Sequence, residues 1–241
     1  MSTDIFFTRE NLDDYLRALG KEFRRLNGKS MPAEIILIGG AAVLANYGFR
    51  DMTYDIDAVI HAASSMKEAI NTVGDSLGLP NGWLNSDFIR TKSYSPKIPQ
   101  YSVYYKTFSN VLTVRTISGE YLVAMKLMSG RQYKNDISDI IGILREQKEH
   151  EKPITISDIE RAVADLYGGW HDMPEEAHQL AESILASDNL EKLYQQYRSE
   201  ETSNREALIE FKNDYPGAVT EDNLKNIIAS LKARKNKDKE R

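Results

Sequence analysis

The segment Thr53-Tyr54-Asp55-Ile56-Asp57-Ala58-Val59-Ile60 sets two carboxylates two residues apart in an otherwise apolar, partly β-branched run. Such a run reads as a strand, and side chains on a strand alternate between its faces. Asp55 and Asp57 then share one face with Thr53, the two acids about 7 Å apart at their Cα atoms. Ile56, Ala58 and Ile60 turn the other way, toward a core. Two carboxylates held at that separation repel one another unless a cation lies between them, and a hard divalent ion with oxygen ligands fits that role. Magnesium, or manganese in its place, keeps several waters and takes one or two carboxylates together with phosphate oxygens. The pair is therefore a candidate metal bracket that a phosphate-bearing ligand completes. Acidic triplets also occur on solvated edge strands, so the pair needs support from elsewhere in the chain.

That support starts upstream. Residues 34–38 form a short, isoleucine-rich run ending in Gly39-Gly40, and residues 41–47 read as helix. A glycine turn between strand and helix lets the backbone approach a ligand closely and points the helix's free amides at an anion. A turn that needs glycine for conformation alone has the same sequence. Further on, Lys126 sits in the apolar helical stretch 123–128, with Val123 and Gly130 on its own stripe. A buried ammonium is expensive unless its head reaches a carboxylate, a phosphate or water; the competing reading is a lysine snorkelling to the surface. Asp136 and Asp139 lie one turn apart on a helix whose apolar face is Ile137, Ile140, Ile141 and Leu144. Acids in a first helical turn are favoured by the helix dipole whatever else they do, and Asp139 reads as structural or arginine-pairing.

The elements that must position these residues follow from periodicity. Leu12, Tyr15, Leu16, Leu19, Phe23 and Leu26 mark an amphipathic helix closed by Gly28 and Pro32. Strands at 34–38 and 53–60 are followed by a helix at 66–77. A loop-rich stretch with Pro80, Gly82, Pro96 and Pro99 leads to a hairpin of 101–107 and 111–117 around Ser109-Asn110. Helices at 120–131 and 136–148 complete an α/β (α+β) domain, a small mixed sheet flanked by helices, expected over residues 1–150. The charged, proline-ended break at 150–153 is the expected boundary. Residues 151–241 read as a helical bundle, with Ser157 and Glu160 as a capping box, Pro174 in a first helical turn and a basic tail over 232–241.

Taken together, Gly39-Gly40, fourteen intervening residues and Asp55-x-Asp57 resemble the signature of the nucleotidyltransferase (polymerase-β-like) superfamily. Arg50-x-x-Thr53 and Trp83-Leu84-Asn85 extend the likeness. So do Glu120-Tyr121-Leu122-x-Ala124-Met125-Lys126-Leu127-x-x-Gly130-Arg131 and Asp136-Ile137-x-Asp139-Ile140. Over residues 34–145 the chain is similar to the bacterial minimal nucleotidyltransferases related to the AbiEii toxins of abortive-infection and toxin–antitoxin systems. The resemblance implies a nucleotidyltransferase fold in which Gly39 and Gly40, with Arg50, Thr53 and Arg131, hold a nucleoside triphosphate. It implies that Asp55 and Asp57 carry magnesium, that Lys126 neutralises phosphate charge, and that Asp136 contributes to the catalytic site. A nucleoside monophosphate would pass to an acceptor, with tRNA expected, and a cognate antitoxin would be the protein partner. Transfer to a protein or to a small molecule such as an aminoglycoside, and a non-catalytic binding module, are the alternatives. In one respect the sequence departs from the pattern. Many members place a third carboxylate on a later strand, and the strand matched to it here, 111–116, has none. Its Arg115 is a phosphate-binding candidate instead, and either Asp136 substitutes, or one metal is bound, or turnover is lost.

Composition limits the remaining classes. The chain has 41% hydrophobic residues, enough for a core, and no cysteine, which excludes disulfides, thiolate zinc sites and thiol nucleophiles. The opening MSTDIFFTRENLDD lacks a signal-peptide pattern and no apolar run is long enough to span a bilayer, so a cytoplasmic protein without membrane association is expected. The net charge of −5 opposes a surface coated for nucleic acid. Local features remain open: the basic tail as phosphate contact or solvated helix end, and Trp83 as base-stacking or core residue. Tyr94, Tyr101, Tyr104 and Tyr105 with Lys92, Lys97 and Lys106 read either as a single-stranded RNA surface or as an ordinary hairpin face. The four histidines show no metal-ligand spacing.

Overall fold

Leu12, Leu16, Leu19 and Phe23 recur at helical spacing, and they form the buried stripe of the first helix, α1 (Arg9–Asn27). Its start is fixed by a reciprocal box in which the Asn11 amide donates to Thr8 Oγ1 and the Thr8 amide to Asn11 Oδ1. The computed structural model describes residues 6–131, 134–220, 223–224 and 226–231. The basic tail 232–241 lies outside the described residues.

The sheet has five strands, β1 (Ala33–Leu37), β2 (Ile56–His61), β3 (Leu84–Asn85), β4 (Ser102–Phe108) and β5 (Leu112–Ile117), in the order β3-β2-β1-β5-β4. It is mixed: β1 pairs antiparallel with β2 and parallel with β5, β3 runs parallel to β2, and β4 and β5 form the expected hairpin. Ser109 and Asn110 both adopt left-handed backbone, at φ 54° and 57°, and turn that hairpin. β1 lies centrally with Ile35, Ile36 and Leu37 fully buried, as a strand covered on both faces requires. The helices α2 (Gly39–Asn46), α3 (Ser65–Leu77), α4 (Gly119–Ser129) and α5 (Asp136–Glu149) flank it, and α6 (Ile156–Tyr167), α7 (Ala177–Leu185) and α8 (Leu190–Asp214) follow. The mixed α/β architecture with trailing helices is thus the one expected. Among the described residues no helix is long and apolar enough to cross a membrane.

Three local expectations are corrected, and the open reading of Trp83 is decided. The second strand begins at Ile56, not Thr53: β1 pairs with it only from Ala58 on, and β3 carries it back to Ile56, opposite Leu84, and no further. Thr53 pairs instead with Phe7: each amide donates to the other's carbonyl, at 2.7 and 2.9 Å. Asp55 consequently precedes the strand that carries Asp57. Trp83 is a core residue, 2% exposed, packed against Phe7 and Tyr15 with Nε1 donating to the Ile70 carbonyl. The cap of α6 is Thr155 with Asp158, two residues before the Ser157–Glu160 pair, and Pro174 lies in a turn ahead of α7, where the Ala177 amide donates to its carbonyl.

The break at 150–153 joins helices that share one apolar cluster running from Phe7 to Tyr194. In that cluster α8 packs along α5 and α6 along α4. The helices beyond the break therefore cover the site-bearing elements and extend their core.

Candidate functional site

β1 delivers the chain to Ile38, extended at φ −135°, whose amide donates to the Asp57 carbonyl at 3.0 Å. Gly39 then takes φ +56°, a left-handed conformation open to glycine, and α2 begins. Gly40 is glycine for a different reason. A Cβ there would lie 2.6 Å from Thr53 Oγ1 and 2.8 Å from Arg50 Nη2, so those two side chains close onto bare backbone. Thr53, 3% exposed, is held there by its pairing with Phe7. The glycine turn, Thr53 and Arg50 are one packed unit.

Arg50 is anchored at both ends of its guanidinium. Nε donates to the Met52 carbonyl at 3.1 Å, and Nη1 donates to Asp139 on α5. Asp139 Oδ2 also accepts from Lys126 of α4 at 2.7 Å, and the Lys126 ammonium lies 3.3 Å from Asp136 Oδ1. Asp136 in turn accepts from Arg131 Nε at 2.9 Å. Lys126 is 6% exposed and Asp136 and Asp139 are 3% and 1% exposed. The snorkelling reading of Lys126 is thereby excluded: buried Lys126, Asp136 and Asp139 link Arg50 at one end to the partly exposed Arg131 at the other. Burial alone would raise the Asp136 carboxyl, but Lys126 and Arg131 more than reverse that, and it ends well below the usual carboxylate range.

Across from this chain stand the strand acids. Asp57 is half-buried on β2 and Asp55 exposed just ahead of it. Burial first, then the charge of Asp55, pushes the Asp57 carboxyl upward; Lys134 and Arg131 pull it back, and Asp87 adds to the rise. All nine residues expected from sequence to make the site, Gly39, Gly40, Arg50, Thr53, Asp55, Asp57, Lys126, Arg131 and Asp136, line a single cavity of about 310 Å³.

Asn85, Asp87, Lys134 and Asp139 line it too. Asn85 is the instructive addition. The strand beside Asp57 is β3, with Asn85 in register opposite Asp57, whereas β5 lies on the far side of β1. The strand 111–116, expected to offer the place of a third acid, is therefore separated from Asp57 by β1. Arg115 of β5 is outside the cavity, its guanidinium donating to the hydroxyl and carbonyl of Ser102, so it is not placed to meet phosphate there. Among the described residues no three acids or histidines come close enough together to hold a metal ion by themselves. Of the tyrosine–lysine stretch, Tyr105 and Lys106 are tied to Asp13 and Tyr101 is stacked on Tyr121; Tyr104 is exposed.

A family model described as "Nucleotidyltransferase of unknown function (DUF6036)" matches residues 14–147. No curated protein and no solved structure matches the chain significantly.

Proposed function

This chain belongs to the DUF6036 family of nucleotidyltransferases of unknown function, and from that premise we propose that its cavity binds a magnesium–nucleoside triphosphate and transfers the nucleoside monophosphate to an acceptor hydroxyl or phosphate, the α–β phosphoanhydride bond breaking and pyrophosphate leaving. The single observation that carries the reading is the cavity itself, in which the glycine turn, Asp57 on β2 with Asp55 just ahead of it, and the chain of Arg50, Lys126 and Arg131 line one space.

The residues fit a divalent cation. Asp57 is held above its ordinary range by burial and by the nearby charge of Asp55, and a cation between them relieves both. Asp55 and Asp57 would hold it, with phosphate oxygens and water completing the shell. When bound, the ion supplies charge stabilisation at the attacking and leaving oxygens. The chain's own residues do the rest. The first amides of α2, at the glycine turn, take a phosphate. Lys126, held between Asp136 and Asp139 and lining the cavity, brings its positive charge to the phosphates. Arg50 and Arg131 add to a floor in which three cations outweigh two carboxylates. Asp136, expected as a catalytic group, is too weak a base at its lowered pKa to carry a proton and acts by orienting Lys126 and Arg131.

Within this reading the acceptor is RNA, tRNA first, and the chain works as an AbiEii-type toxin restrained by an antitoxin; the motif order from Gly39 to Ile140 supports that branch. The second reading, a nucleotide-binding module without turnover, is favoured by Asn85 standing on the strand next to Asp57 where a third carboxylate would serve a second metal.

Incubation with magnesium, each of four α-labelled nucleoside triphosphates and total RNA separates the two. Label appearing in RNA, and lost in Asp57→Ala, supports transfer. Nucleotide binding without label in RNA, protein or small molecules supports the module, and neither binding nor transfer removes both.

A further inference from the structure

Helix α5, whose first turn carries Asp136 and Asp139, begins without a cap of its own, since Asn135 in the N-cap position makes no side-chain hydrogen bond to it. The leading amides of a helix have no partner inside it. Two of them are met here from a distant element: the amides of Ile137 and Ser138 donate to Oε1 of Glu201 on α8, at 2.8 and 3.4 Å. Glu201 is 2% exposed. A carboxyl at that depth needs donors to offset its desolvation, and the two amides with the positive end of the α5 dipole provide them. Its other oxygen, Oε2, is buried with no hydrogen-bond partner among the described residues. The group is therefore directed at α5 and not at solvent.

The consequence lies one step further along the chain of contacts. Asp136 and Asp139 flank the two capped amides, and they are the acceptors that hold Lys126, Arg131 and Arg50. A shift of the first turn of α5 moves both carboxylates together. We propose that Glu201 is a positioning residue for the cavity: it fixes the first turn of α5 and, through Asp136 and Asp139, where Lys126 and Arg50 present their charge. A side chain on α8 thus sets the geometry of the basic floor through a helix turn 64 residues away in sequence. What that floor acts on rests on the nucleotide reading above; the positioning does not.

The test compares four variants of the full chain by amide exchange over residues 135–140 and by calorimetric titration with each magnesium–nucleoside triphosphate. Glu201→Ala removes the acceptor and Glu201→Asp withdraws it, whereas Glu201→Gln keeps an oxygen at the same reach. Leu208→Ala, two turns along α8, removes a buried apolar group without touching the amides. Alanine and aspartate should each raise exchange over 135–140 and weaken nucleotide binding about tenfold, the order set by losing a helix cap. Glutamine should restore both, and Leu208→Ala should lower the melting temperature while changing neither. If Glu201→Ala does not fold, the aspartate and glutamine variants carry the comparison. Equal exchange in wild type, Glu201→Asp and Glu201→Gln, or the same rise in Leu208→Ala, overturns the inference. Should the wild type bind none of the four nucleotides, the nucleotide reading fails, and exchange alone decides the positioning.

Discussion

Gly40 has no room for a side chain, and this makes it the sharpest probe at the residue scale. A Cβ there must displace Thr53 Oγ1 or Arg50 Nη2, and both are pinned, by Phe7 and by Asp139. Gly40→Ala should therefore cost about 1 to 3 kcal/mol, the usual range for overpacking, and weaken nucleotide binding beyond any loss explained by unfolding; thermal denaturation beside titration checks it. A melting curve unchanged from wild type would mean the turn is loosely packed. Lys126→Met leaves Asp136 and Asp139 buried without their shared cation, so the expected loss is about 3 to 5 kcal/mol. Adding Asp139→Asn should recover part of it in a double-mutant cycle. The residues behind these predictions were legible to different degrees. Glycines and paired acids announce themselves by spacing, because a strand face and a strand-to-helix turn have fixed geometry. Asn85 is marked only as part of Trp83-Leu84-Asn85, without a role, and Asp87 follows it in a loop-rich stretch with no period from which to read direction; Lys134, in the turn between α4 and α5, has no such signal either. The reading of Asp139 as structural or arginine-pairing holds, since it pairs with Arg50; that it also ties Arg50 to Lys126 shows only in the packing.

At the scale of elements, the sequence marked the helices and the hairpin well because their apolar stripes repeat. It misplaced the start of β2, which is decided by where β3 pairs with it at Leu84, a property of the pairing and not of residues 53–60. It also assigned the missing acid to β5, since strand order follows from packing and β5 proves to be separated from β2 by β1. The contact between α8 and α5 yields a prediction in pH. Burial pushes the Glu201 carboxyl up from 4.5 to about 7, against the pull of Ser138 and the Ile137 amide and with help from the charge of Asp139. The folded chain then holds a proton that the unfolded chain has released. This contribution to stability is complete below pH 4.5, falls as pH rises toward 7 and is level above, a loss of about 3 kcal/mol across the window. Denaturant midpoints at half-unit steps from pH 5 to 8 should show that limb in wild type and its flattening in Glu201→Gln. An identical slope in both would place the titration elsewhere.

For the whole molecule, the question is whether residues 1–150 stand alone. Composition suggested a boundary at 150–153, because the strands end there and only helices follow. The fold gives that boundary a different meaning: Ile159, Val163 and Leu166 of α6 and Ile184 of α7 belong to the same apolar cluster as the sheet. A fragment ending at residue 150 exposes that surface and loses the Glu201 cap on α5. It should show no cooperative thermal transition and should bind a hydrophobic dye, and a sharp melt would establish an independent domain. The account as a whole depends on one cavity working as a magnesium–nucleotide site, and the most direct measurement is calorimetric titration of each nucleoside triphosphate into wild type and into Asp55→Ala/Asp57→Ala. At least one nucleotide should bind the wild type with magnesium and lose about a hundredfold or more in affinity, roughly 2.7 kcal/mol, both on chelating the metal and in the double variant. Equal affinity with and without magnesium, or in wild type and double variant alike, would contradict it.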